Sequence, residues 1–138
     1  MNEYKFEDIK INMSEEFSVK ITEKMQNDFR DNINDTNPIH CDKEFAVNRG
    51  FDSVLVFGML TASFFSKLVG VYLPGKNALF EECKNLLFHQ PVYIGDVLNI
   101  KGTVIDIDER FKRITIKAVI RNQNNIKVCS AKLIAGVL

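Results

Sequence analysis

The stretch VLVFGMLTASFFSKLVGVYL, Val54–Leu73, is the one long apolar run in the chain. It carries Lys67 and two glycines, Gly58 and Gly70, whereas a membrane span wants about 20 largely uncharged apolar residues. From Gly58 to Tyr72, the side chains of Met59, Leu60, Phe64, Phe65, Leu68 and Val69 cover the circumference of a helix. A helix that is apolar on nearly all sides is one that other elements enclose. The fold therefore has to supply a wrapping.

That wrapping follows in the chain. After the turn Leu73-Pro74-Gly75-Lys76 the apolar period becomes two, which predicts strands over 78–90, 98–108, 112–122 and 126–137, with Ile114, Ile116, Ala118 and Ile120 alternating most cleanly. The apolar phase slips between Val104 and Ile105 and again between Val128 and Cys129, as β-bulges or two-sided burial require. Upstream, Phe17, Val19 and Ile21 predict a short strand, and Thr22 stands as an N-cap. Met25, Phe29 and Ile33 then form the apolar stripe of a helix that stops at the turn formers Asn34 to Pro38. Lys43 to Arg49 predicts another short helix, with Phe45 and Ala46 inward and Gly50 ending it. One apolar helix and about five strands predict an α+β arrangement, a curved antiparallel sheet wrapped around that helix. The order of strand, helices and strands is that of a hot-dog fold. With no linker, repeat or low-complexity tract, residues 1–138 are expected to form one domain.

Lys+Arg and Asp+Glu number 18 each, so net charge gives no reason to expect nucleic acid or an anionic membrane as partner. Cys41, Cys83 and Cys129 are odd in number and lack CxxC spacing, against both a disulfide framework and a zinc site. The N-terminal MNEYKFEDIKINMSEEF lacks the apolar core of a signal peptide, and the expected setting is the cytoplasm.

Chemistry concentrates in DTNPIHCD, Asp35–Asp42. A carboxylate and an imidazole are suited to moving protons near neutrality, and Pro38 with Asn37 can stiffen the loop that carries Asp35 and His40. The same residues also spell an Asx-type turn with His40 opening a helix, and on the residues alone both readings stand. A Cys41–His40 nucleophile pair is disfavoured because sequence neighbours seldom face each other. With no second histidine nearby, Asp35, His40 and Asp42 do not make a metal set. Gly58, at the start of the apolar helix, either exposes N–H groups that could polarise a carbonyl oxygen or simply permits close packing. Ser63 and Ser66 on that helix either point into a pocket or bond the preceding turn. His89, ahead of Gln90-Pro91, reads as an edge or surface residue.

Together these segments resemble the MaoC-like dehydratases, most closely the single-domain (R)-specific enoyl-CoA hydratases. The resemblance spans nearly the whole chain: FEDIKI (6–11), Phe29 followed by DTNPIHCD and Ala46, VFGMLTASFFSKLVG (56–70), LPGK (73–76) and FHQPVYIGD (88–96). It implies that Asp35 and His40 hold a water between them. Asp35 would take a proton as the water attacks C3 of a trans-2-enoyl thioester, and His40 would deliver one to C2, giving an (R)-3-hydroxyacyl thioester. The Gly58 N–H would stabilise the thioester oxyanion, Asn37 would position the pair, and Ser66 matches a serine lining the family's site. Two residues depart from the pattern. Asn34 stands where glycine is frequent, and Phe57 replaces a common histidine before Gly58, placing a larger apolar ring at the oxyanion end and acyl pocket. The resemblance implies no cofactor, coenzyme A or acyl carrier protein as the substrate's carrier, and a homodimer or dimer of dimers. An acyl-CoA thioesterase and a non-catalytic acyl-thioester-binding subunit are the competing readings.

Overall fold

A computed structural model describes residues 1–138. Five strands, β1 (Ser14–Lys20), β2 (Ala78–Phe88), β3 (Val97–Asp108), β4 (Arg113–Arg121) and β5 (Lys127–Val137), form one sheet in the order β1-β3-β4-β5-β2, every pair antiparallel. Tight turns set the run from β3 to β5. Asp108 accepts hydrogen bonds from the Arg110 and Phe111 amides, and Lys112 and Asn125 take the left-handed backbone that short reversals need. Both expected phase slips are present. The β3–β4 register skips Ile105, and the β4–β5 register passes from Ile120↔Cys129 to Arg121↔Lys127, leaving Val128 as the extra residue with its side chain also buried. β2 breaks register twice more, between Phe80 and Glu82 and between Lys84 and Leu87.

The helices are α1 (Glu23–Ile33), α2 (Pro38–Cys41), α3 (Lys43–Asn48) and α4 (Gly58–Lys67), the last continuing as a π-turn over Leu68–Tyr72. Thr22 caps α1 through the Met25 amide, and Asn34 ends it in left-handed backbone. Gly50, at φ +90, follows α3 as expected. The stripe on α1 differs from the expected one. Ile33 is half exposed, and the buried residue of α1 is Gln26.

Phe65, Leu68 and Val69 project from α4 and its π-turn into the core. They meet a transverse row of small residues, for Gly102 pairs with Ala118 and Ala118 with Ala131 across β3, β4 and β5. A Cβ on Gly102 would lie 2.7 Å from Leu68 Cδ2 and 2.9 Å from Ile116 Cγ2, so the helix seats in a trough that only absent side chains can create. The expectation of a helix enclosed on all sides is corrected here. Met59, Ser63, Ser66 and Gly70, spaced as one helical face, are exposed, because the five strands curve around only one side of α4. Outermost β2 is equally open, with Leu79, Cys83, Leu87 and Phe88 exposed along it. No helix is long and apolar enough to cross a membrane.

Two measurements check this packing. Gly102→Ala should lower unfolding stability by about 1–3 kcal/mol in urea titration, since the added methyl overpacks against Leu68 and Ile116. Cys129 is fully buried and its thiol is pushed up to about 11, chiefly by desolvation, so thiolate is scarce at lower pH. Iodoacetamide at about pH 8 should label exposed Cys41 in the native protein and reach Cys129 only after unfolding, read by peptide mass.

Candidate active site

The loop after α1 is built from its own side chains. Asp35 Oδ1 accepts from the Asn37 amide at 3.0 Å, Asn37 Oδ1 accepts from the Ile39 amide at 3.1 Å, and Pro38 opens α2 where its missing N–H costs nothing. The Asx turn is thus real, and it presents His40 in a single helical turn. Asp35 itself is half-buried, and its Oδ2 has no partner in the chain.

His40 is fixed on two sides. Its Nδ1 lies 2.8 Å from the Leu55 carbonyl oxygen, which can only accept, so Nδ1 carries the proton and Nε2 is the free nitrogen. Its ring packs on Phe57 with centroids 4.1 Å apart, and Phe57 packs in turn on Phe29 at 5.3 Å. Phe57 is therefore a buried backing for the imidazole, filling space behind the site.

A cavity of about 270 Å³ opens beside His40, with Gly58, Thr61, Phe88, His89 and Gln90 among its walls. Gly58 is the first residue of α4, and no side chain caps this end. The amides of Gly58, Met59 and Leu60 have no acceptor within the chain, the usual state of a helix's first turn. Gly58 also serves close packing, since a Cβ there would lie 3.0 Å from the Phe88 ring. Thr61 is 2% exposed, and its hydroxyl is the one buried side-chain polar atom without a partner. His89 directly follows the edge strand β2, as the edge reading has it, and corrects only the surface reading. It is half-buried, its Nε2 sits 2.7 Å from Ser130 Oγ, and it faces the same cavity as His40.

The cavity gathers His40 and Gly58 from the sequence-derived set and adds Thr61 and His89. Asp35 and Asn37 stay on the preceding turn. Ser63 and Ser66 lie on the open face of α4, where Ser63 Oγ donates to the Leu60 carbonyl at 2.6 Å. Thr61 was legible in principle, lying three residues after Gly58 and hence on its face of the helix. His89 was not, because the two register breaks in β2 erase any alternation counted from Ala78. No group of three or more His, Cys, Asp or Glu side chains is arranged to hold a metal.

Known proteins are similar to this chain in sequence and in architecture. The model of the MaoC-like domain matches residues 6–126. A 3-hydroxybutyryl-CoA dehydratase from Methylorubrum extorquens is 31% identical over 74% of this chain, although the chain spans only 64% of that relative's length. An (R)-specific enoyl-CoA hydratase from Rhodospirillum rubrum is 34% identical over 81% of this chain and 77% of its own. The structure of the (R)-hydratase from A. caviae involved in PHA biosynthesis superposes with a TM-score of 0.88 at 27% identity, covering 94% of this chain and 98% of that one. With the family's model matching residues 6–126, most of this sequence, and the fold superposing over 94% of it, this chain belongs to the MaoC-like domain family.

Proposed function

We propose that this protein is a hydro-lyase that adds water to a trans-2-enoyl thioester, with coenzyme A as carrier, to give the (R)-3-hydroxyacyl thioester, and catalyses the reverse dehydration. The observation that carries this reading is the meeting in one cavity of His40, whose Nε2 has no partner in the chain, with Gly58, whose amide has none either. Addition to an enoyl thioester places negative charge on the thioester oxygen. Amides with no internal acceptor, at the positive end of a helix dipole, are suited to receive it without reorganising.

In this reading Asp35 and His40 hold the reacting water. Asp35 removes a proton as oxygen attacks C3, and His40, when it carries a proton on both ring nitrogens, delivers the one on Nε2 to C2; passage of the proton from Asp35 to Nε2 then restores the pair. In dehydration the roles reverse, with neutral His40 accepting the C2 proton at the same nitrogen. Asn37 keeps the turn that carries Asp35 rigid through its bond to Ile39, and Phe57 holds the imidazole in plane from behind. No step calls for a cofactor. The Thr61 hydroxyl, on the same helical face as Gly58, gains its missing partner from the bound thioester group. The open edge of β2, with Leu79, Leu87 and Phe88 exposed, and the uncovered face of α4, with Met59 exposed beside Gly58, support a homodimer or dimer of dimers.

Loss of enoyl absorbance from crotonyl-CoA tests the reaction, with an (R)-specific coupling enzyme reading the stereochemistry of the product. Asp35→Asn and His40→Ala should each lower kcat by about 100-fold or more while the protein stays folded. Release of free thiol in place of hydration would identify a thioesterase, and binding without turnover an idle acyl-thioester subunit. Thr61→Val should leave unfolding stability equal or raise it by about 1 kcal/mol, because it removes an unsatisfied buried hydroxyl. The same substitution should raise KM for crotonyl-CoA, measured by initial rates.

A further inference from the structure

We infer that Gln26 is a positioning residue that fixes the protonation geometry of His40 and the start of α4 together, a role that rests on the hydratase reading only for its effect on rate. Gln26 comes from α1, is 3% exposed, and spends its whole side-chain amide on the site. Its Nε2 donates to the Leu55 carbonyl at 3.0 Å and to the His40 carbonyl at 3.3 Å, and its Oε1 accepts from the Phe57 amide at 3.2 Å.

These three contacts converge on the groups that matter. The Leu55 carbonyl is also the acceptor for His40 Nδ1 at 2.8 Å, so its two lone pairs are divided between Gln26 and His40. Gln26 thereby aims the carbonyl that sets the His40 tautomer, and the tautomer decides which ring nitrogen faces the cavity. Its second donor holds the His40 backbone. Its oxygen holds Phe57, the residue that immediately precedes Gly58 and backs the imidazole. Leu55 and Val56, just before Phe57, are otherwise pinned by Leu55 N–H to the Ile39 carbonyl and Val56 N–H to the Val92 carbonyl. Without Gln26, the proton-transfer group and the oxyanion donors lose their common anchor.

Gln26→Met keeps the length of the side chain and removes all three hydrogen bonds. Gln26→Glu keeps an acceptor for Phe57 and removes both donors. The chain has two histidines, so ¹⁵N-histidine spectra in mildly alkaline solution, with His89→Gln for assignment, read the His40 tautomer directly. Wild type should show the Nδ1–H form, and both Gln26 variants a mixture with Nε2–H. With crotonyl-CoA, kcat should fall about 10- to 100-fold with KM within about threefold, the signature of misaligned reacting groups. Wild-type tautomer and wild-type kcat in both variants would overturn the inference. Should neither variant fold, the wild type still decides. Slow exchange of the Gln26 side-chain amide and Phe57 backbone amide protons supports the clamp, and exchange at solvent rate refutes it. If the wild type hydrates no enoyl-CoA, the hydratase reading falls, while the tautomer and exchange measurements continue to test Gln26.

Discussion

How closely α4 and its π-turn can approach the sheet is the constraint from which the rest of the molecule follows. Leu68 reaches the backbone of β3 only because position 102 has no side chain, and the neighbours paired across the sheet are alanines. Larger residues flank this row on the same face, among them Ile100 and Val104 on β3, so the sheet is thick at its ends and thin at its middle. A sheet with that profile curls around a cylinder. Curling carries β2 and the segment after it past the start of α4, where Phe88 touches Gly58 and His89 enters the cavity. The position of the site is therefore a result of packing in the core on the far side of the helix.

Local and long-range interactions share the work at the site itself. Asp35, Asn37 and Pro38 shape their turn almost unaided, using side-chain-to-backbone bonds between residues two apart. His40 depends on distant chain, on Leu55 for its proton geometry and on Phe57 for its packing. The phenylalanine that departs from the usual histidine is accommodated by a hydrophobic stack of three rings running from α1 to the imidazole. Such a stack orients through shape and dispersion where a hydrogen-bonding ring would orient through polarity.

Much of the fold was legible because its signals are local. Thr22 and Gly50 bound their helices as capping chemistry predicts, and the phase slips at Ile105 and Val128 appear as real breaks in register. What escaped the sequence depends on partners far along the chain. Gln26 lies off the apolar stripe of α1 and becomes a buried residue only where Leu55 and Phe57 are brought over it, and Ile33 reads as core although it is half exposed. The encirclement of α4 was overestimated for a related reason. Apolar character around a helix records every surface it meets, and it does not say whether one chain supplies them all. Asp35, His40 and Gly58 stand out as candidates only by resemblance to a family, since their spacing alone fits a turn and a helix end equally well.

The register breaks in β2 have a bearing on solubility. An uninterrupted edge of eleven residues with exposed leucines would be a template on which unfolded or foreign strands could add without limit. Two bulges cut this edge into short pieces, and Glu82 and Lys84 place charge in the central piece, with Glu81 at its border. A strand with regular register can follow only one piece before its hydrogen bonds fall out of step. The irregularity that hides His89 from a reader of the sequence also guards the sheet against growing into a fibre.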